Sequence, residues 1–368
     1  MERQRTLFTR FPQLARKIPW LALGVFPTPV ERAEKIGIWM GVKDFYIKRD
    51  DLSHPEYGGN KVRKLEFLLA DAQRLGRRAV LTIGAWGSNH ILATTIFAKK
   101  LGLKPLCVMI PQPAQHYARK NLLLNYALGC ELNFARNELA LAGKIAQVYL
   151  KHWQRGERAY FIWAGGSTPL GVLGYVNAGL ELAEQIKEKM LPEPDYIFCA
   201  VGSCGTFAGL VLGTKLAGLK SKVVGVRVYE RVGANSYFSF WLARSLLRLL
   251  KKADPDFPSL KISPRDFVIL HNYAGKGYAY FTREGIEAVK VMESQEGIRL
   301  EGTYTGKTLA GIIDLARKGE LGGKSVLFVN TYNSRPLDKL VEKLPDWQEL
   351  PGEFHHCFTS KIQEEEVR

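Results

Sequence analysis

Residues 79–110 read AVLTIGAWGSNHILATTIFAKKLGLKPLCVMI, and this stretch decides the fold class. The apolar run Ala79–Ile83 predicts a buried strand, and the glycine-bearing turn Gly84–Ser88 follows it. Asn89–Lys100 then predicts a helix, and Leu106–Ile110 predicts the next strand. A strand, a helix and a second strand in this order form a parallel unit with a right-handed crossover. The chain is therefore predicted to be an α/β protein.

The same alternation of strands and helices recurs on both sides of this stretch. Further strands are predicted at Asp44–Lys48, Tyr160–Trp163, Tyr196–Val201, Lys222–Val228 and Lys324–Asn330. Further helices are predicted at Lys64–Leu75, Pro169–Lys187 and Thr206–Leu216. Such alternation favours helices layered on mainly parallel sheets over a β-sandwich or a helix bundle.

Length and composition set the outer limits of the fold. A chain of 368 residues predicts two domains, or one large domain with a lobe. With 46% hydrophobic and 24% charged residues, the composition is that of an ordinary globular protein. Disorder throughout the chain, a collagen and a coiled coil are thereby excluded. The apolar runs are too short for a membrane-spanning helix.

The charge of the chain is unusual, because 52 basic and 36 acidic residues give a net charge of +16. Such a charge admits a nucleic acid, a membrane surface or an anionic ligand as partner. The basic residues are scattered in doublets such as Arg77-Arg78 and Lys99-Lys100, whereas a nucleic-acid site would concentrate them. The segment Ser239–Lys252 predicts a basic amphipathic helix, which we expect to dock on the protein core rather than on a membrane. Neither a nucleic-acid nor a membrane partner is expected.

The five cysteines are odd in number and follow no C-x-x-C spacing. Neither a disulfide framework nor a metal site is therefore expected, and a reducing compartment fits better. The segment Met1–Pro19 is rich in arginine but has no apolar core of a secretory signal. We expect a cytoplasmic protein, with residues 356–368 forming a frayed tail.

Three glycine-bearing turns follow or precede predicted elements, and the first is Gly58-Gly59-Asn60-Lys61. It places Lys61 immediately before a helix. An exposed lysine is usually only solvated, but two glycines and an amide would let another molecule approach the backbone closely.

The second turn ends in Ser88, Asn89 and His90, after the strand at Ala79–Ile83. Ser88 and Asn89 are good helix N-caps, which is a purely structural interpretation. A strand-to-helix corner also presents free N–H groups that suit a carboxylate. His90 is either a base or a structural residue.

The third turn is Gly202-Ser203-Cys204-Gly205-Thr206, between the strand Tyr196–Val201 and the next helix. Backbone amides, two hydroxyls and the helix dipole make it a plausible phosphate cradle. It lacks the lysine of a Walker A motif and the spacing of the dinucleotide fingerprint. Together with a lysine upstream, a phosphate cradle suits pyridoxal 5'-phosphate.

In the order and wording of its segments, the sequence resembles the fold-type II pyridoxal-phosphate enzymes. Within these it is similar to the 1-aminocyclopropane-1-carboxylate deaminase/D-cysteine desulfhydrase family. The matching stretches run from about residue 20 to about 335 and are Ile47–Leu52, Gly58–Phe67, Ser88–His90, Gly165–Ser167, Gly174-Tyr175, Gly202–Gly209, Glu296–Ile298 and Tyr304–Lys307. The resemblance implies two open, twisted, mainly parallel sheets. It also implies a large cofactor domain (1–65 and 166–368), a small domain (66–165), and a homodimer.

The resemblance also implies roles for single residues. Lys61 would bind the cofactor covalently, with Asn60 beside it, and Asn89 would hydrogen-bond the ring hydroxyl. The turn Gly202, Ser203, Cys204, Gly205 and Thr206 would hold the phosphate, and Thr305 would face the ring nitrogen. Ser88, with Asn89 and His90, would hold the substrate, and Tyr304 and Tyr278 would line the substrate side.

Three departures from the family pattern lie around the substrate. Gly87 replaces a usual glutamine, Tyr332-Asn333 replaces two glycines, and Leu300–Thr303 replaces Leu-Asp-Pro-Val. With the neutral Thr305 at the ring nitrogen, as the resemblance implies, the ring withdraws electrons less strongly than it would beside a carboxylate, so the expected reaction is β-elimination. It would convert a small amino acid into a 2-keto acid and ammonia, as in D-cysteine desulfhydrase. The alternatives are cyclopropane deamination, cofactor binding without turnover, and a basic nucleic-acid-binding protein.

Overall fold

The computed structural model describes residues 5–363, which form two open sheets surrounded by helices. The strands of the described chain are β1 Val30–Arg32, β2 Asp44–Lys48, β3 Ala79–Ala85, β4 Lys104–Ile110, β5 Glu131–Phe134, β6 Ala159–Ile162, β7 Tyr196–Val201, β8 Lys222–Arg227, β9 Val268–Leu270 and β10 Ser325–Val329. The α-helices are α1 Thr6–Arg10, α2 Pro12–Ala15, α3 Glu34–Met40, α4 Lys61–Arg74, α5 Asn89–Lys100, α6 His116–Ala127, α7 Glu138–Gln154, α8 Pro169–Lys187, α9 Gly205–Ala217, α10 Ser236–Ala253, α11 Arg283–Glu296, α12 Thr305–Arg317 and α13 His356–Thr359.

The larger sheet has six strands in the order β1-β2-β10-β7-β8-β9, and the smaller has four in the order β5-β4-β3-β6. Every pairing is parallel except that of β1 with β2. The strands of the smaller sheet all lie between residues 79 and 162, and those of the larger sheet lie outside that range. The α/β class with mainly parallel sheets is confirmed, and the exact domain limits stay a prediction.

Helices cover both faces of the larger sheet, so its central strands β7 and β10 are mainly apolar and buried. On β7, Ile197 and Cys199 contribute to one apolar cluster and Phe198 to another, since alternate side chains of a strand point to opposite faces. One face packs on α8 and α9, the other on α11 and α12. This layering leaves the ends of the strands as the place where a ligand can bind.

The predicted elements agree closely with the observed ones. β2, β7, α5 and α8 begin and end at the predicted residues, and β4 and β10 differ by two residues or fewer. Helix α4 begins earlier than predicted, so that Lys61 is its first residue rather than part of the preceding turn. The apolar side of α10 is buried against the core, as expected for a docked surface helix.

The end of the chain is not the frayed tail that the sequence suggested. Residues 356–359 form α13, and Ile362 makes a parallel β-bridge with Ala114. Phe354 and Cys357 are buried against Trp86 in one apolar cluster. The prediction failed because the glutamates at the end dominate the composition there, whereas the aromatic residues before them are buried. Residues 364–368 lie outside the described part of the chain.

Membrane-spanning helices and metal-binding clusters are both absent from residues 5–363. No helix in this range combines the length and the apolar character needed to span a membrane. Within the same range, no cluster of histidine, cysteine, aspartate or glutamate side chains could hold a metal ion.

Candidate active site

A cavity of about 720 Å³ opens at the carboxyl ends of strands from both sheets. Ala85 and Ile110 contribute from the ends of β3 and β4, and Ala200 contributes from the end of β7. Thr331 follows β10 and borders the same space. The position agrees with the rule that open parallel sheets bind their ligands at the carboxyl ends of the strands.

Most of the residues predicted from the sequence meet in this cavity. Its walls include Asn60, Lys61, Ser88, Asn89, His90, Gly202, Ser203, Cys204, Thr206, Tyr278 and Tyr304. Gly205 and Thr305 are not among the described residues that line it. Residues from distant parts of the chain thus form one site, whose individual roles stay predictions.

The turn before Lys61 is fixed by backbone contacts that leave no room for a side chain. A Cβ atom on Gly58 would lie 1.9 Å from the Asp51 carbonyl oxygen. The Gly58 N–H donates to Oδ1 of Asn333 at 2.8 Å, and the Asn60 N–H donates to the Thr331 carbonyl at 3.2 Å. The lysine therefore enters the cavity from a rigid base.

Burial lowers the pKa of Lys61 to about 8, although the Glu301 carboxylate opposes the shift. Near neutral pH an appreciable fraction of this amine is therefore unprotonated. An unprotonated amine is a nucleophile and a base, so Lys61 is suited to react with an aldehyde.

Buried ion pairs anchor helix α4, which begins with this lysine. Arg63 donates to Asp50 at 2.7 Å and to Glu181 at 2.9 Å, and all three side chains are buried. Since such charges are tolerated inside a protein only when they are paired, these partners fix how α4 lies on α8.

Ser88 and His90 have structural partners, whereas Asn89 has a free donor. Oγ of Ser88 accepts the His90 and Ile91 N–H groups at 3.1 and 3.4 Å, which caps α5. The His90 ring bonds Oγ1 of Thr82 at 2.9 Å, and burial lowers the pKa of His90 well below its usual value. The neutral ring is thus engaged by β3, and His90 also borders the cavity.

The orientation of the Asn89 amide is set by a residue that sequence reasoning missed. Nδ2 of Asn121 on α6 donates to Oδ1 of Asn89 at 2.9 Å and to the Gly87 carbonyl at the same distance. The Asn89 oxygen is thereby occupied, and its Nδ2 group can donate into the cavity. No pattern in the sequence links positions 89 and 121.

The phosphate turn, residues 202–206, presents backbone N–H groups at the start of α9. Cys204 is left-handed there, with φ of +63°. The Gly205 N–H donates to Oγ of Ser167 at 3.2 Å, and a Cβ on Gly205 would lie 2.4 Å from that atom. Asn60 connects this turn to the lysine, since its Nδ2 donates to Oγ1 of Thr206 at 3.0 Å. The turn is thus a compact cradle for an anion.

A second lysine, Lys64, lies beneath this turn. Its Nζ donates to the Gly165 carbonyl at 3.0 Å and to Oγ of Ser167 at 3.3 Å. Burial and the neighbouring Lys61 hold the pKa of Lys64 well below its ordinary value. A phosphate in the turn would favour the charged ammonium, so the donors present fit a phosphate group. The sequence shows Lys64 only as one more basic residue of α4.

Two tyrosines line the cavity, and the Tyr304 ring lies next to Gly202 of the phosphate turn. The Tyr304 hydroxyl donates to the Tyr278 hydroxyl at 3.0 Å, and the two rings are 5.9 Å apart. Burial raises the pKa of Tyr278 to about 12 and that of Tyr304 further. Both hydroxyls are therefore protonated at neutral pH. Because Tyr278 accepts from Tyr304, its own proton is free for an acceptor in the cavity.

Glu301 lines the cavity where the sequence pointed to Thr305. Oε1 of Glu301 accepts the Tyr304 and Thr305 N–H groups, each at 2.8 Å, and so caps α12. Oγ1 of Thr305 is 3.1 Å from the same oxygen and also accepts the Glu301 N–H at 3.0 Å. The threonine hydroxyl is thus engaged by Glu301. An acidic residue just before the first residue of α12 is the signal that could have identified it.

Known proteins are similar to this chain over most of its length. Residues 21–331 match the family model described as pyridoxal-phosphate dependent enzyme. A protein of Pyrococcus abyssi with the provisional name 1-aminocyclopropane-1-carboxylate deaminase is 35% identical over 95% of both chains. D-cysteine desulfhydrase of Klebsiella pneumoniae is 34% identical over 88% of this chain and 94% of the relative.

Two solved structures support the same grouping. A structure titled as an ACC deaminase homologue has a TM-score of 0.76 at 32% identity, and covers 92% of this chain and 98% of that one. Threonine deaminase isoform 2 from Solanum lycopersicum has a TM-score of 0.58 at 19% identity, and covers 91% and 92% of the two chains. The second likeness concerns the fold alone.

Proposed function

The chain belongs to the pyridoxal-phosphate-dependent enzymes, and from that premise we propose that it is a D-cysteine desulfhydrase-like lyase. It would remove the β-substituent of a small amino acid and give a 2-keto acid and ammonia. One observation carries the proposal: Lys61, the phosphate turn and a pair of protonated tyrosines line a single cavity.

The residues present would hold the cofactor at both of its ends. The backbone N–H groups of the phosphate turn and the ammonium of Lys64 would bind the phosphate. The free Nδ2 group of Asn89 would donate to the ring hydroxyl, because Asn121 occupies the other end of its amide. When bound, pyridoxal phosphate supplies an aldehyde for an amine and an electron-withdrawing ring that stabilises negative charge on the α-carbon.

The side chains around the substrate divide the proton transfers between them. Lys61, with its pKa near 8, would take the α-proton of the substrate onto Nζ. Tyr278 would donate its hydroxyl proton to the departing β-substituent, with Tyr304 fixing its orientation. The hydroxyl of Ser88 keeps its proton, since its oxygen only accepts in the cap of α5, and would donate to the substrate carboxylate.

Cyclopropane deamination is the second candidate, and Glu301 is the observation that favours it. The deaminases of the resembling family carry glutamate where this chain has Thr305, and Glu301 supplies a carboxylate 3.1 Å from that hydroxyl. The provisional name of the Pyrococcus abyssi relative points to the same reaction. Aminocyclopropane carboxylate has no α-proton, so its turnover would need a different use of Lys61.

The test compares D-cysteine, L-cysteine and aminocyclopropane carboxylate on one preparation with the bound cofactor quantified. We expect keto acid and sulfide from a cysteine and little keto acid from the cyclopropane. Preferential opening of the cyclopropane would replace the first proposal by the second. A cofactor-loaded protein that releases keto acid from none of the three, nor from other β-substituted alanines, would refute both.

We further propose that the enzyme is a cytoplasmic homodimer. All five cysteines are buried and unpaired, which supports a reducing compartment. Tyr237 and Trp241 are exposed on α10, at 76% and 53% of their surface, and are candidates for a subunit contact. Light scattering of the purified protein and cell fractionation test the two parts separately.

A further inference from the structure

The last described residues of the chain form a strap across the smaller sheet. The C-terminal strap, residues 346–363, buries Phe354 and Cys357 in the apolar cluster that contains Trp86. Arg119 of α6 donates to the Cys357 carbonyl at 3.0 Å and to the Ser360 carbonyl at 2.7 Å. Several independent contacts therefore fix the strap along its length.

The strap ends beside Ala114, which follows β4 of the smaller sheet. Ile362 is bridged to Ala114, and the Gln363 N–H donates to the Ala114 carbonyl at 3.2 Å. The backbone of Gln363 is thus held by the part of the chain that carries the smaller sheet. From there its side chain reaches the tyrosine loop, residues 274–281, which follows β9 of the larger sheet.

Gln363 binds the tyrosine loop with both ends of its amide. Nε2 donates to the Ala279 carbonyl at 2.9 Å, and Oε1 accepts the Phe281 N–H at 3.1 Å. This pair of bonds satisfies one acceptor and one donor of the loop backbone. An alanine at 363 would remove both bonds, whereas a glutamate would keep only the acceptor.

The loop needs such support, because Ala279 adopts a conformation that alanine avoids. Its φ is +60°, and its side chain is buried. A non-glycine residue in this region costs on the order of 1 kcal/mol and persists only where its surroundings enforce it. Its carbonyl accepts from Gln115 as well as from Gln363, so two amides hold the strained peptide.

The strained residue is the direct neighbour of Tyr278. We propose that Gln363 is a positioning residue that holds the tyrosine loop so that the Tyr278 hydroxyl faces the substrate. The role of Tyr278 in this inference rests on the proposed function. The latch, by which we mean the two hydrogen bonds from the Gln363 amide to the tyrosine loop, rests on the contacts alone. The strap lies beyond residues 21–331, which match the family model, whereas the tyrosine loop lies within them.

The test uses the holoenzyme with three substitutions. Gln363→Ala removes both bonds, and Gln363→Glu keeps the acceptor for the Phe281 N–H. Gln348→Ala is the matched control, since Gln348 is exposed in the same strap and far along the chain from Gln363. Hydrogen–deuterium exchange of residues 274–281 reports on the latch, and kcat and KM for the best amino-acid substrate report on positioning.

For Gln363→Ala we expect faster exchange at Phe281 and a fall in kcat of about tenfold, with KM changed by less than about twofold. The exchange rate and kcat of Gln363→Glu should lie between those of Gln363→Ala and the wild type. Both quantities should be unchanged in Gln348→Ala. The apolar contacts of the strap remain, so the melting temperature should change little.

Each result decides one part of the inference. Unchanged exchange in Gln363→Ala would refute the latch, whatever the enzyme does. Faster exchange with an unchanged kcat would make Gln363 a structural contact only and overturn the positioning role. Faster exchange in a protein whose wild type turns over no amino acid would leave the latch standing and refute the proposed function instead.

Discussion

The phosphate turn and the tyrosine loop border the same cavity, but the chain holds them in different ways. The phosphate turn is supported from two parts of the chain, by Asn60 and Lys64 at the start of α4 and by Ser167 in the segment before α8. The tyrosine loop depends on side chains from four separate parts of the chain, at positions 115, 230, 307 and 363. The difference predicts that the cofactor end is robust and the substrate end adjustable.

The largest effect should come from the lysine that both regions face. Lys61→Ala should abolish covalent attachment of the cofactor and all turnover, while the protein stays folded. Reduction of the holoenzyme with borohydride, followed by peptide mapping, should place the pyridoxyl group on Lys61. Lys43→Ala, an exposed control, should bind cofactor normally. A pyridoxyl group on Lys48 or Lys64 would contradict the assignment.

A charge in the phosphate turn should have the next largest effect. Gly205→Asp places a carboxylate beside the expected phosphate, a repulsion of about 4 kcal/mol at a separation of ~4 Å and an intermediate dielectric. We expect retention of the cofactor to fall by about 100-fold or more, measured by equilibrium dialysis.

Gly205→Ala separates the steric effect of a side chain at position 205 from the effect of its charge. Its methyl group would lie 2.4 Å from Oγ of Ser167 and 2.9 Å from Nζ of Lys64 without adding a charge, and should weaken binding roughly tenfold. Unchanged affinity in the aspartate variant would mean that the phosphate binds elsewhere.

Loosening the tyrosine loop should affect the rate more than the cofactor. Nζ of Lys307 donates to the Ala274 carbonyl at 2.7 Å and to the Gly277 carbonyl at 3.2 Å. Lys307→Met removes both bonds and leaves the Ala274 carbonyl only the Gly277 N–H, at 3.4 Å, so it should lower the free energy of unfolding by about 2 kcal/mol and kcat by about tenfold. Lys318→Met, at the exposed end of α12, is the control. A loss of cofactor with an unchanged kcat would reverse the proposed division between the two regions.

The smallest effect should come from the Glu301 carboxylate, which raises the pKa of Lys61 while burial lowers it. Only the unprotonated amine reacts with an aldehyde, so cofactor capture by the apoprotein should accelerate with rising pH and level off above about 8. Glu301→Gln removes a charge that raises the pKa of Lys61, so the midpoint should move to lower pH.

At pH 7 capture by this variant should therefore be roughly twofold faster, measured by stopped-flow absorbance. Glu287→Gln, exposed on α11, should leave the profile unchanged. A midpoint that moves to higher pH would show that Glu301 acts on Lys61 in another way.

A region can be predicted from the sequence when the residues that form it lie close together along the chain. The strand β7 and the glycines after it lie within ten residues of each other, so the phosphate turn is visible as an apolar run followed by a turn. Helix α8 carries its own N-cap and apolar period, and was predicted to the residue. Local signals of this kind account for most of the fold.

The remaining features depend on side chains that meet only in three dimensions. Asn121 is 32 positions from the amide that it orients, and Gln363 is 84 positions from Ala279. The resemblance puts Thr305 at the ring nitrogen, but its hydroxyl bonds Glu301. Which of these two side chains faces the cavity depends on how Glu301 caps α12. Composition and spacing hold no information about such partners.

The bond between the Gly58 N–H and Oδ1 of Asn333 ties the turn of the lysine to a position where the chain departs from its family. Substitutions at 332 and 333 that alter selectivity should therefore show epistasis with residues 58–60. In a directed-evolution campaign the two segments would have to be varied in one library, because changes that are harmful singly can be compatible in pairs. A selectivity change reached through residue 333 alone would carry a penalty in the placement of the catalytic amine.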